Sequence, residues 1–385
     1  MPDPLTERSP VTLPQDRPLS VSTGDPARWA DALLALPGAA DPAHAAAFDA
    51  LARAAAEHQR AHGAVYRAFV AESGAAESGA ALSPGDAAWT WRDAPLLPIE
   101  AFRLADVAAF DVRGAEAVFV SSGTTAQTGL AGAARHAVRS LDLYRRLSAA
   151  AFASLVGRGP FVFACHLPGY AERGAASSLV TMAEHLVGSF GAGGSGFFLD
   201  DLGVLDRAID ASRASGHPLL LLGAAFGLLD LAESGRIRLP EAARVIETGG
   251  MKTRRREMPR ADLHAALAAG FGVGVDRVGS EFGMAEATSQ GWAATGGRYA
   301  APPWLRVRAL DPDALARGVT RDVPPAADGS GADGRLALVD LASVYACPFL
   351  LTDDRARVHA DDTFEVLGRM PATGLRGCNF LLDPP

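Results

Sequence analysis

Five consecutive residues, Ser121, Ser122, Gly123, Thr124 and Thr125, set four hydroxyls and a glycine directly after the apolar run Val118, Phe119, Val120. Such a turn suits phosphate oxygens. Hydroxyls donate hydrogen bonds, and glycine lets the backbone come close enough for successive N–H groups to form an anion nest. Arg135 and His136 follow a Gly/Ala stretch and can add charge-assisted bonds. Read alone, the same residues also make an ordinary Ser/Thr-rich surface loop. The turn is not a G-x4-G-K-[ST] phosphate loop, which occurs nowhere in the chain. Lysine is scarce: Lys and Arg together number 36, and Lys252 is the only lysine. Chemistry that needs an ammonium group must use Lys252 or the N-terminus.

Other residues carry chemistry one at a time. Cys378 lies in the glycine-flanked terminal segment "GLRGCNFLLDPP", with Arg376 placed to favour its thiolate. A thiolate is a strong nucleophile and acyl carrier. A cysteine read alone is more often a small buried hydrophobe, and Cys165 in "FVFACHL" and Cys347 before Pro348 read that way. Glu286 stands in the otherwise apolar "FGMAEA", where a surface role explains it poorly and a hard-cation role explains it well. Asp353 and Asp354 suit a turn as well as a ligand site, and Arg369 alone reads as a surface arginine. Thr248, Gly249 and Gly250 end a strand in a plain turn or line a pocket. His136 and His166 either orient a substrate oxygen or are satisfied, partly buried histidines.

These residues need elements to position them. Residues 26–72 read as two helices, the second running without a break through "PAHAAAFDALARAAAEHQRAHGAVYRAFVAES". "APLLPIEAFR" (94–103) is extended. From residue 116 strands and helices alternate: "AVFVSS", then a helix over 140–156, "PFVFACHL", a helix over 177–190, strand and helix within 217–235, "ARVIETGG", a helix over 260–272, and a strand and loop over 277–287. That order predicts an α/β fold with a mostly parallel sheet and helices on both faces. After residue 300 short strands with Pro/Gly/Asp turns predict a small antiparallel subdomain. The expected divisions are a leader over 1–25, an α/β domain over 26–300, a β-rich subdomain over 301–370 and a terminal segment over 371–385.

Composition narrows the function. The chain is 49% hydrophobic, enough for a large core, and its net charge of −8 without a basic tract argues against nucleic-acid binding. No apolar run is long enough to predict a membrane span. The start, "MPDPLTERSPVTLPQDRPLS", lacks the apolar core of a signal peptide. Three cysteines without metal-type spacing predict a reduced, cytoplasmic setting.

The order of the motifs adds more than any one of them. After the hydroxyl turn come "ETGGMK" (247–252), "SEFGMAEATSQ" (280–290), "PFLLTDDRARV" (348–358) and "FEVLGRM" (364–370). The set resembles the adenylate-forming superfamily of acyl-activating enzymes. Those have an [ST]SGTTG phosphate loop, a glycine turn, an aromatic-Gly-x-[TA]-Glu segment, a T-G-D segment and a Gly-Arg hinge, in this order. Within it, "PLLPIEAFR", "SSGTT…RH", "SSLVTMAEHL", "GGMKT" and "LRGCNFLL" resemble the acyl-protein synthetase of bacterial bioluminescence, related to phenylacetate–coenzyme A ligases. The resemblance implies an adenylate-forming enzyme fold with a truncated C-terminal lid. It implies ATP and Mg2+ as cofactors, a fatty or other carboxylic acid as substrate, and an acyl-AMP intermediate. Cys378 would accept the acyl group and deliver it to a partner acyl reductase.

The likeness also implies roles for single residues. Ser121, Ser122, Gly123, Thr124 and Thr125 would cradle the ATP phosphates, with His136 beside them. Thr248, Gly249 and Gly250 would line the adenine or acyl side, and Phe282 with Gly283 would lie against the adenine. Glu286 would hold Mg2+, Asp354 the ribose hydroxyls, and Arg369 would sit near ribose and phosphate. The pattern also breaks. Ala126 replaces the usual glycine after the threonines, Asp353 replaces the glycine of T-G-D, and no lysine follows Arg369. Larger superfamily members carry a catalytic lysine there, so Lys252 is the candidate to stabilise charge in its place. Two alternatives stand beside the synthetase reading: a ligase that uses free coenzyme A, and a catalytically inactive scaffold that keeps the fold.

Overall fold

The computed structural model describes residues 23–72, 83–121, 132–168, 174, 176–199, 201–249 and 258–370. The chain opens with α1 (Pro26–Leu34), α2 (His44–His62) and α3 (Ala64–Glu72). Asp25 caps α1 by accepting from Ala27 N at 3.0 Å, ahead of Pro26 in the first turn. The continuous second helix expected from the sequence is broken at Gly63, which ends α2 in an extended conformation. Helical periodicity runs through the break, so the pattern did not reveal it. A side chain at Gly63 would meet the Gln59 carbonyl at 2.9 Å. Gln59 itself is committed elsewhere, donating to Val344 O at 2.7 Å.

Next come β1 (Leu97–Pro98), α4 (Ala101–Leu104), β2 (Ala117–Val120), β3 (Arg135–Val138), α5 (Leu141–Leu155), β4 (Val162–His166) and α6 (Ser178–Phe190). They are followed by β5 (Gly196–Phe197), α7 (Leu202–Ser215), β6 (Leu219–Ala224), α8 (Ala225–Glu233), β7 (Arg244–Thr248), α9 (Arg260–Phe271), β8 (Val278–Phe282) and β9 (Gly291–Ala293). The last third holds β10 (Leu305–Leu310), α10 (Pro312–Ala316), β11 (Ala332–Asp340), β12 (Phe349–Val358) and β13 (Phe364–Arg369). The short β3, β5, α7, β9 and α10 were not read from the sequence, and α4 takes up Ala101–Leu104 at the end of a stretch expected to be extended.

One sheet has six strands in the order β5-β4-β6-β7-β8-β9. All its pairings are parallel except that of the edge strand β9 with β8. Side chains alternate across it as strand geometry requires. Val162, Ala164, Leu219, Leu221, Val245 and Val278 pack with α7, α8 and α9. On the other face Phe163, Cys165, Leu220, Leu222 and Ile246 pack with α5 and α6. Both faces are covered by helices, so these strands are apolar on both sides, as buried parallel strands are. Ser140 and Ser177 cap α5 and α6, accepting from Leu143 N and Val180 N.

The second sheet runs β1-β12-β11-β10, with β13 also on β12. It is antiparallel except where β1 lies parallel to β12, Leu97 opposite Leu350. Residues 301–370 therefore share their sheet with a strand from the first hundred residues. The N-terminal helices also dock on this half of the molecule, Trp29 Nε1 donating to Leu341 O at 2.8 Å. A single apolar cluster runs from Trp29 through Phe152 and Trp292 to Phe364 and joins the two sheets.

Candidate active site

Ser121, the first residue of the hydroxyl turn, follows β2 directly. Strands β2 and β3 pair antiparallel, Phe119 opposite His136. At the neck, Ser121 N donates to Ala134 O and Ala134 N donates to Ser121 Oγ, both at 2.9 Å. The Ser121 hydroxyl thus accepts from the neck and keeps only its own proton for a ligand. Ser122, Gly123, Thr124 and Thr125 lie outside the described residues, as do Gly250, Lys252 and Cys378.

His136 joins this hairpin to the segment that carries Glu286. Its Nδ1 lies 2.9 Å from Ala285 O, which puts the ring proton on Nδ1. The ring is buried and meets Phe102 and Phe119 edge-on. Burial holds its pKa down at about 4, so the imidazole stays neutral near pH 7. The ring is buried and its Nδ1 is satisfied, which leaves Nε2 as the atom that could meet a ligand. Through its Nδ1 bond the histidine positions the loop.

Glu286 follows directly. Its side chain is buried, at 8% exposure. The residues after it are pinned by Asp340, at the end of β11. Asp340 accepts from Thr288 N and Ser289 N at 2.9 Å each, from Ser289 Oγ at 2.6 Å, from Ser343 Oγ at 2.9 Å and from Ala342 N at 3.1 Å. Charge-assisted bonds of this kind are about twice as strong as neutral ones. Sequence reading missed Asp340, although an acid closing the apolar strand "LALVD" was a usable signal.

Thr248 and Glu281 end the neighbouring strands β7 and β8 as a pair, the threonine hydroxyl donating to Glu281 Oε2. Glu281 is buried, and burial pushes its carboxyl up to about 7. Gly249 takes φ +72°, a left-handed conformation that favours glycine. Gly283 passes so close to Glu281 that a side chain there would collide with the carboxylate. On the opposite face of the sheet, Ser280 Oγ donates to Glu247 Oε1 at 2.5 Å and lies 2.9 Å from His264 Nε2. That network ties α9 to β7 and β8, and sequence reading missed it too.

Phe282 packs at 5.7 Å from Tyr299 and 5.3 Å from Phe364 between ring centroids. Phe364 opens β13, the strand that ends in Arg369. Arg369 and Asp354 face each other across β13 and β12, with Nε 3.1 Å from Oδ1. Asp354 is buried, whereas the Arg369 side chain is half exposed. Asp353, the residue in place of the family glycine, accepts from Arg335 at 3.0 Å. Beside it Glu100 is pushed up to about 7 by burial first and by the Asp353 charge second.

Phe282 thus packs on Phe364 at the start of β13, the strand whose far end carries Arg369 opposite Asp354, and one hydrogen bond brings Glu286 beside the hairpin of Ser121. Cys165 and Cys347 are buried, and burial pushes both thiols up to about 12, so neither is a ready nucleophile. Among the described residues no three His, Cys, Asp or Glu side chains converge on a metal. A lone carboxylate such as Glu286 fits Mg2+ when phosphate oxygens and water supply the remaining ligands. No helix among the described residues is long and apolar enough to cross a membrane.

Neither a protein-family model nor a curated protein sequence matches the chain. Solved structures do. The chain is similar to 2-hydroxyisobutyryl-CoA ligase in complex with 2-HIB-AMP and CoA in the thioesterification state, with a TM-score of 0.60 at 14% identity, over 87% of this chain and 70% of that one. The same ligase in its postadenylation state with 2-HIB-AMP gives 0.59 at 14% identity, over 87% and 72%. An open conformation of it gives 0.56 at 14% identity, over 87% and 74%. The chain has the adenylate-forming ligase fold, as its motif order implied. At this identity the likeness is one of fold.

Proposed function

We propose that this chain is an ATP-dependent acyl-activating ligase. A carboxylate oxygen attacks the α-phosphorus of ATP, the bond to the β-phosphate oxygen breaks, pyrophosphate leaves and acyl-AMP forms. The observation that carries the reading is the His136–Ala285 hydrogen bond, because it holds the hydroxyl-turn hairpin against the segment of Glu286. Glu286 would hold Mg2+, which supplies positive charge against the phosphates. The hydroxyls and N–H groups of residues 121–125 would bind phosphate oxygens, Phe282 would lie by the adenine and Asp354 would accept from the ribose hydroxyls. Lys252 and Arg369 would share the stabilisation of charge as two anions meet, and their orientation in one pocket supplies the rest.

In the second step the Cys378 thiolate attacks the acyl carbon, AMP leaves and a thioester forms on the protein. A partner such as an acyl reductase then takes the acyl group, in the manner of the acyl-protein synthetases. A second reading, with free coenzyme A as acceptor, is favoured by the fold likeness to a CoA ligase.

Carboxylate-dependent ATP–pyrophosphate exchange tests the first step across a panel of fatty, aryl and hydroxy acids. The wild type exchanges with at least one acid, and Glu286→Gln loses about 100-fold or more, the scale of losing an electrostatic stabiliser. Failure with every acid at saturating Mg2+ leaves the inactive-scaffold alternative. Cys378→Ser separates the acceptors: it removes a hydroxylamine-sensitive acyl label under the synthetase reading and leaves coenzyme A thioester formation intact under the other.

A further inference from the structure

Away from these residues, α2 presents two histidines one turn apart, His58 and His62, with ring centroids 4.7 Å apart. Tyr345, in the connection before β12, meets His58 edge-on at 5.8 Å. Arg139, just past β3, holds its guanidinium 4.7 Å from the centre of the Tyr345 ring. Three separate segments therefore bring together four side chains that donate hydrogen bonds. Two of them are unsatisfied. Among the described residues His58 Nε2 and Tyr345 Oη are buried without a partner, in residues 6% and 5% exposed. Buried polar atoms seldom stay unpaired, and one that does points to a missing ligand or water. Arg139 and Tyr345 also line a small cavity with Ser140, Thr288 and Ser343.

Charge decides its sign. Arg139 is permanently cationic, and its nearby bond goes to a neutral acceptor, Gly24 O, at 3.0 Å. The acid whose charge reaches Tyr345 is Asp25, which is already engaged with Ala27 N and Arg28. His58 is held down to about 4 by burial first and then by the positive charges of His62 and Arg139. Among the described residues a metal ion would meet the Arg139 cation with Asp25, already engaged, as the acid in reach. A dianion would meet the donors of Arg139, His58, His62 and Tyr345.

We propose that His58, His62, Arg139 and Tyr345 form a binding site for a phosphate group, separate from the residues assigned to ATP. Arg139 binds two phosphate oxygens with its planar fork, His62 closes the rim, and His58 and Tyr345 donate from the floor. The phosphate comes either free, as inorganic phosphate, or as the phosphomonoester of coenzyme A. The site stands whether or not the chain adenylates acids.

Two titrations of the full chain test it. The first adds inorganic phosphate at constant ionic strength and follows the histidine ring protons by NMR, a readout local to this site. His58 and His62 shift saturably, and Arg139→Gln and His62→Gln each weaken the apparent Kd about tenfold or more. His62 is exposed, so its variant keeps the fold and leaves pyrophosphate exchange unchanged. The second compares coenzyme A with dephospho-coenzyme A by calorimetry. A tenfold preference for coenzyme A that His62→Gln erases identifies a carried phosphate; equal binding, with the first titration intact, identifies a free one. The proposal is overturned if neither histidine responds to phosphate, or if both variants keep wild-type affinity.

Discussion

Asp340→Ala should be among the most damaging substitutions in the chain, although Asp340 is assigned no contact with substrate. Its carboxylate is fully buried and accepts five hydrogen bonds, three of them from the loop after Glu286. Two donors are serine hydroxyls, which can rotate to other acceptors. The other three are backbone N–H groups, which cannot; Thr288 N keeps a second acceptor in Ser343 Oγ at 3.0 Å, so Ser289 N and Ala342 N are the two left to lose theirs. Each buried donor left unpaired costs about 1–3 kcal/mol. Water entering the vacated space offsets part of this, so we expect a loss of about 3 kcal/mol. Asp340→Asn keeps the shape and one acceptor oxygen. Thr288 N and Ser289 N converge on Oδ2 while Ser289 Oγ and Ala342 N converge on Oδ1, so an amide satisfies one pair and opposes the other. Its loss should be about 2 kcal/mol. Urea unfolding followed by tryptophan fluorescence measures both, and Trp304 reports locally because its Nε1 donates to Ser289 Oγ at 3.0 Å. Pyrophosphate exchange per folded molecule should fall as well, since Glu286 loses its support. An alanine variant within about 1 kcal/mol of wild type would refute the hydrogen-bond reasoning. A destabilised variant with unchanged exchange would refute the link from Asp340 to the site.

Two further outcomes follow from the geometry. Glu281 has a raised carboxyl pKa, about 7 in the fold against about 4.5 unfolded, so the native state binds the extra proton and stability declines as pH rises through that window. Glu281→Gln should flatten this decline, by up to about 3 kcal/mol between pH 4.5 and 7, in urea melts at the two pH values; a variant with the wild-type slope rules out a buried, protonated Glu281. Arg369→Gln should change stability by less than about 1 kcal/mol, because its side chain is half exposed, yet raise the KM for ATP about tenfold by freeing Asp354 from its partner. An unchanged KM removes Arg369 from the proposed nucleotide site.

Much of the fold was legible because it rests on local pattern. Apolar strands such as "PFVFACHL" and "HPLLLLGA", each followed by a helical stretch, give parallel pairing in few topologies. The apolar setting of Cys165 and the placement of Cys347 before a proline pointed to the buried positions both occupy. Other features were hidden for equally physical reasons. The periodicity of α2 and α3 is continuous, and only the tertiary contact of Gln59 with Val344 marks the break at Gly63. Strand β3 is too short to show alternation, and β1 shows no strand pattern of its own because β12 recruits it from more than two hundred residues away. The ordered motifs located the regions of Ser121, Thr248, Glu286, Asp354 and Arg369. They did not reveal that Ser121 closes a hairpin neck, or that Asp354 and Arg369 already hold each other.

Sequence by itself determined the alternation of elements, the apolar faces of the strands and the order in which hydroxyl turn, acidic segment and hinge arrive, since each depends on neighbours along the chain. Tertiary structure alone decided which polar residues meet. His136 reaches Ala285, and Asp340 reaches Thr288 and Ser289, both across long sequence separations. Such partners leave no spacing signal, because a buried polar group requires only that its counterpart be at hydrogen-bond distance, from whatever part of the chain the fold brings there.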